Sequence, residues 1–122
     1  MTLWALVALL GGAGAVCRYL CDRAVSSRWT TALPLGTMVV NIAGSAAAGF
    51  LLGITAYQAN HPTVVVLVLV GFLGGYTTAS TLSFEIVELL QERKIMKAGI
   101  ATVGTMVLSV GFGAIGLLLG QL

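Results

Sequence analysis

The chain has 122 residues, of which 58% are hydrophobic and only 8% charged, and its mean hydropathy is +1.03. A soluble domain needs roughly a quarter of its residues charged, so this composition excludes a water-soluble fold and makes lipid the solvent for most of the molecule. A formal net charge of +2 is too small to recruit nucleic acid, and the length admits a single domain, 1–122.

Four apolar segments follow in chain order, at 2–22, 34–57, 63–83 and 97–120. Each can cross a hydrocarbon core of about 30 Å, which takes roughly 20 helical residues. The first is read as a span and not as a secretory leader, because no charge precedes it and no cleavage site ends it. It carries Cys17 and Cys21 one helical turn apart, read as small packing residues since no His or carboxylate cluster accompanies them. Arg18 is its deepest charge. Its long stem can snorkel to the interface, or its guanidinium can line a vestibule that attracts anions.

The second segment opens at Pro34, where a missing helix N–H is tolerated. It reads PLGTMVVNIAGS, and Asn41 can either hydrogen-bond a neighbouring helix or offer its NH₂ to an anion losing its water. The third opens at Pro62 and carries GGYTTASTLS, residues 74–83. Here Gly74 and Gly75 precede Thr77, Thr78, Ser80, Thr81 and Ser83. Adjacent glycines weaken a helix by about 1 kcal/mol each, and backbone freed at membrane depth must be buried in protein or line a polar cavity. The pattern therefore predicts a break at the glycine pair. Carbonyls there could bind a cation, and the restarted half-helix would offer its positive end to an anion. The fourth segment is glycine-rich and carries Thr105 and Ser109. Small-residue pairs at Gly11 and Ala15, Gly49 and Gly53, and Gly116 and Gly120 predict close helix packing and association with another subunit. No carboxylate falls in the middle of a predicted span: Asp22 ends the first, and Glu85, Glu88 and Glu92 follow the third. That disfavours a small proton-coupled exporter, which needs a membrane-embedded acid. No nucleophile and base pair up, so the chain is not read as an enzyme.

GGAGAVCRY in the first span, PLGTMVVNIAGS in the second and GFLGGYTTASTLS in the third together resemble the Fluc fluoride channels, also called CrcB. The resemblance implies an all-α membrane protein with four transmembrane helices, the third broken. It implies an antiparallel dimer of the dual-topology type, with fluoride pores at the interface. A structural sodium ion would be held by backbone carbonyls, here those of Gly74 and Thr77. Arg18 matches the vestibule arginine and Asn41 the pore asparagine. Ser80, Thr81 and Ser83 fall on the polar track of the pore, which Thr105 and Ser109 extend. Passive fluoride export across a bacterial inner membrane is the implied activity.

Two features depart from a symmetric pair. The family usually has pore-lining phenylalanines where this chain has Ala79 and Leu82, and Phe84 is two residues too late to replace them. The connections 23–33 and 84–96, which are short loops or helix ends carrying the charges, have with the first residue after them Arg23, Arg28, Arg93, Lys94 and Lys97, whereas the opposite side has no Lys or Arg. Positive loops stay cytoplasmic, so one orientation is expected. Both features predict a heterodimer with a homologous subunit of opposite topology, in preference to a homodimer. A non-conducting scaffold subunit is the alternative that Ala79 and Leu82 favour.

Overall fold

A computed structural model describes residues 2–57 and 62–122, so most of the expected loop 58–62 lies outside the described residues. The described residues are almost wholly helical, and four helical stretches are long and apolar enough to cross a membrane. Helix α1 covers Leu3–Arg28, capped at its start by Thr2, whose hydroxyl accepts from the Ala5 N–H. Helix α2 covers Leu35–Tyr57. The third span, Pro62–Gln91, is composite. It opens with α3 (Pro62–Val66) and passes through a π-helical stretch, Leu67–Leu73. A last helical turn, α4 (Gly74–Tyr76), leads to the break, and the span restarts as α5 (Ala79–Gln91). Helix α6 is Ile95–Gly120.

At one end of the molecule the helices run past the apolar spans, so of the two readings, short loops or helix ends carrying the charges, the second is largely the one seen. Helix α1 continues through Asp22 and Arg23 to Arg28, and α5 continues through Glu85 and Glu88 to Gln91. The charges at 22–28 and 84–91 therefore ride on helix ends, and the connection between α5 and α6 shrinks to residues 92–94. This turn closes with Lys94 N–H donating to the Leu89 carbonyl at 2.8 Å and Arg93 N–H to that of Leu90 at 3.0 Å. The pattern is a Schellman closure. It puts Arg93 at φ 61°, a left-handed conformation that costs a non-glycine residue about 1 kcal/mol or more.

Glycines set the packing. A Cβ on Gly49 would run into the Gly113 carbonyl, one on Gly53 into that of Leu117, and one on Gly116 into that of Ala46. Helices α2 and α6 thus touch backbone to backbone along the two expected glycine pairs. Gly14 meets the Phe72 carbonyl, and Gly75 meets that of Gly11, which seats the third span on α1. The small-residue motifs are used up in packing within the chain, so they do not supply the subunit contact that the sequence suggested. Inserting a methyl at Gly49 forces backbone apart, and overpacking of this kind costs about 1–3 kcal/mol. Gly49→Ala is expected to lower the thermal midpoint in detergent measurably, whereas Gly99→Ala, at a position facing open space, should leave it unchanged.

Very little of each span is covered by the rest of the chain. Only 6% of the most apolar window of α1 and 28% of that of α2 is buried. A small cluster formed by Met38, Leu89, Ala98 and Ala101 joins α2, α5 and α6. The remaining apolar faces look outward, to lipid or to another subunit.

Candidate functional site

The break lies at Thr77 and Thr78, not at the glycines. Gly74 keeps helical angles (φ −61°, ψ −38°), while Thr77 (φ −80°, ψ 154°) and Thr78 (φ −150°, ψ 118°) are extended. The glycine pair leads into the break and lets the chain approach α1; it does not itself unwind.

What holds Thr78 out of the helix is Asn41. Its Nδ2 donates to the Thr78 carbonyl at 2.8 Å, and its Oδ1 accepts from the Thr78 N–H at 2.8 Å. One side-chain amide thus satisfies both backbone groups of a residue at membrane depth, where water cannot do so. Of the two roles open to Asn41, the helix–helix bond is the one seen; one N–H of the amide is left over. Thr78 is then the N-cap of α5, accepting from the Thr81 N–H at 3.2 Å. Sequence reasoning left Thr78 out of the site, although a threonine three residues ahead of a helical N–H is an N-cap signature.

These diversions free backbone oxygens. In an uninterrupted helix Thr78 N–H would bond the Gly74 carbonyl, and Thr81 N–H that of Thr77. Both donors are engaged elsewhere, with Asn41 and with the Thr78 hydroxyl. The carbonyls of Gly74 and Thr77 are thereby among those released from the helical ladder, together with those of Gly75 and Tyr76 at the same helix end. Gly74 and Thr77 border a cavity of about 230 Å³ that Ser45 also lines, and hard oxygen donors of this type suit an alkali or alkaline-earth cation.

The expected hydroxyl track divides between two cavities that share Thr78. The first, about 250 Å³, lies between α1, α2 and the break, and is lined by Arg18, Tyr19, Asp22, Thr37, Thr78 and Thr81. Arg18 is half-buried and makes no ion pair among the described residues, so its charge is available to the cavity. The Thr78 hydroxyl donates to that of Thr81 at 3.1 Å and lies 3.3 Å from that of Ser80. The second cavity, about 320 Å³, brings together Asn41, Ser45, Thr105 and Ser109 opposite Ala79 and Leu82. Ser83 borders neither of the two; its hydroxyl donates to the Ala79 carbonyl at 2.8 Å.

The hydroxyls differ in what they can still give. Thr105 donates to the Ala101 carbonyl at 2.6 Å and Thr77 to that of Leu73 at 3.0 Å. Each must turn from its helix to donate to an anion. Ser109 Oγ is buried without any partner among the described residues, and such atoms are rare in folded proteins. Its hydrogen is still to spend, as is that of Thr81, whose hydroxyl only accepts among the described residues.

Glu85 was read as lying beyond the third span. It sits instead on α5, half-buried, and accepts from the buried Thr37 hydroxyl at 2.6 Å. Thr37 is in the first turn of α2, so this carboxylate stands near one membrane end and not at the midplane. Cys17 and Cys21 are free and half-buried, and no group of three metal-ligating His, Cys, Asp or Glu side chains gathers among the described residues.

Asn41→Ala leaves the N–H and C=O of Thr78 without partners, at about 1–3 kcal/mol for each orphaned group. It is therefore expected to destabilise the protein clearly, as read by a lower melting midpoint. Ser83→Ala removes an exposed bond from a helix to itself, and should shift stability by no more than about 0.5 kcal/mol.

Comparison with known proteins bears on the same residues. The family model described as "CrcB-like protein, Camphor Resistance (CrcB)" matches residues 5–120. A Leifsonia xyli protein named fluoride-specific ion channel FluC 1 is 42% identical over 120 residues, 95% of this chain and 85% of that protein. A Mycobacterium bovis protein named fluoride-specific ion channel FluC 2 is 39% identical, over 99% of this chain and 90% of its own. A Hydrogenobaculum protein named fluoride-specific ion channel FluC is 40% identical, over 92% of both chains. With all but the first two residues of the four spans, and with the broken third helix and the asparagine clasp inside the matched region, this multi-pass membrane protein belongs to the CrcB-like family.

Proposed function

We propose that this chain is one subunit of a passive, fluoride-specific channel, and that it works as half of an antiparallel heterodimer. The observation that carries the ion is the polar lining around the break. Fluoride is small and strongly hydrated, so a pore must replace its water with donors. Asn41, Thr105 and Ser109 border one cavity and Thr81 another, with Arg18 drawing anions towards the latter. Ser80 and Ser83, exposed on α5, extend the same polar path on the side where a second subunit would sit. These are hydroxyl and amide groups, able to strip water without trapping the ion as a fixed charge would. The relatives named as fluoride-specific channels support the same ion. The reading is of a channel and not an enzyme: fluoride runs down its own gradient.

The resemblance also points to a sodium ion. Gly74 and Thr77 would hold it through their carbonyls, aided by copies from the second subunit. The break frees the carbonyls of residues 74–77 from the helical ladder, and Gly74 and Thr77 are the two of these that border the cavity, which supports the assignment. Such an ion would fix two breaks against each other and add positive charge at the centre of an anion pathway.

The heterodimer rests on charge and on Ala79 and Leu82. A subunit whose basic groups all lie at one end inserts in one orientation, so an antiparallel pair needs a partner with the opposite bias. The numbering in the names FluC 1 and FluC 2 fits organisms that carry more than one such chain. Ala79 and Leu82 line the second cavity, where the family has rings, so the pore formed there is altered. A partner that keeps those rings would supply the working pathway. The inner membrane of a bacterium is the setting this reading implies. The test is fluoride efflux from liposomes holding this chain alone and then with a homologous subunit of opposite loop charge.

A further inference from the structure

The outward face of α6 is organised in a way that the channel reading does not use. Its inner face is set by Ala98, Ala101 and Thr105, which are buried. On the far side Met96, Ile100, Val103 and Val107 recur at helical spacing and are 81%, 48%, 60% and 63% exposed. At about 1.5 Å per residue this stripe is roughly 16 Å long, close to one leaflet of a hydrocarbon core about 30 Å thick. Its upper end meets Arg93, Lys94 and Lys97. Lys94 is engaged by Glu92 at 2.7 Å, and the same contact holds the Glu92 carboxyl below its usual range. Arg93 and Lys97 make no ion pair among the described residues. Arg93 moreover occupies the left-handed position of the turn, where glycine is the ordinary choice. An arginine standing where a glycine would relax the backbone puts an exposed guanidinium at this corner at a cost in backbone strain, which points to use of the charge.

We propose that this corner binds an anionic phospholipid. The headgroup phosphate would sit on Arg93 and Lys97, and one acyl chain would lie along Met96, Ile100, Val103 and Val107. Charge complementarity chooses an anionic headgroup over a zwitterionic one, and the length of the stripe matches one lipid tail. The proposal stands apart from the channel reading, since it needs only the orientation of α6 in a bilayer.

The test places a reporter on the stripe. Ile100→Trp, in a background of Trp4→Phe and Trp29→Phe, is reconstituted into liposomes. It is quenched with dibrominated phosphatidylglycerol or dibrominated phosphatidylcholine. One basic side chain near an anionic surface corresponds to roughly fivefold in binding. Phosphatidylglycerol is therefore expected to bind at least about fivefold more strongly than phosphatidylcholine. Arg93→Gln with Lys97→Gln should bring the ratio close to one. A ratio near one in the parent overturns the proposal, as does a reporter that neither lipid quenches, which would mean that protein covers the stripe. A readout independent of the reporter is the phospholipid retained by the unmodified protein after extraction from an equimolar mixture. Enrichment in phosphatidylglycerol is expected, and parity counts against the site.

Discussion

Liposomes containing this chain alone are expected to lose fluoride at close to the rate of protein-free liposomes, and those containing it with an oppositely charged homologue should empty rapidly. The difference should be an all-or-none fraction of active vesicles and not a graded change. The reason is geometric. The second cavity opens on a face made by α2, α5 and α6, and its wall at Ala79 and Leu82 is short of bulk. A phenylalanine edge is electropositive and can face an anion; a methyl or isobutyl group offers nothing comparable. Two copies of this chain would repeat the defect in both pathways. Restoring the rings in the paired channel, by Ala79→Phe and Leu82→Phe together, is expected to raise flux towards twice the starting value as a second pathway opens. Fast efflux from the unmodified chain alone would remove the case for an obligatory partner. A pair that assembles and stays silent would favour the scaffold alternative.

The second large effect concerns orientation. A C-terminal reporter active only outside the cytoplasm should give the whole signal, and one active only in the cytoplasm should give none. The five basic side chains Arg23, Arg28, Arg93, Lys94 and Lys97 lie at the end of α1, in the turn before α6 and in the first turn of α6. All are therefore at one end of the four-span molecule, within the range that insertion reads. Glu85, Glu88 and Glu92 at that end should not reverse the outcome, because acids contribute little to the rule. Neutralising the five and placing lysines at the N-terminus and in 58–62 should move the signal to the cytoplasmic reporter. Equal signals from the unmodified chain would mean dual insertion, and a homodimer would then be the better reading.

Much of this architecture is legible in the sequence because lipid leaves few options. Four apolar segments of span length can only be helices, and Pro62 opens α3 as a proline at a helix start should. Charge marks where lipid ends but not where a helix ends, so the sequence leaves loops and charged helix ends both open there, and the helix ends are what is seen. Residues 22–28 and 84–91 are helical because a helix needs no lipid to continue, only donors and acceptors in register. The break was foreseen one element too early. Glycine propensity pointed at Gly74 and Gly75, but Gly75 is small because Gly11 presses on it, and the interruption falls where Asn41 captures Thr78. That capture joins residues 37 positions apart, and no local propensity reports it. The division of the hydroxyls between two cavities, and the bond from Thr37 to Glu85, were hidden for the same reason.

The π-wound stretch Leu67–Leu73 has a consequence for how the protein meets membranes of different thickness. A π turn holds more residues in a given axial length than an α turn, closing i to i+5 instead of i to i+4. Downstream, the chain is pinned: Gly75 lies against Gly11, and Thr78 is clasped by Asn41. Gly71 and Phe72, at the end of the stretch, also pack on α1, so any change of winding falls to the residues before them. Conversion of one π turn to α winding would therefore lengthen the half-span outward without moving the hydroxyls or the freed carbonyls. Mismatch between a span and its bilayer costs fractions of a kcal/mol per ångström, comparable to a local change of winding. Such rewinding would act as a slip joint, taking up a thicker or thinner bilayer at the edge of the span while the polar centre keeps its geometry.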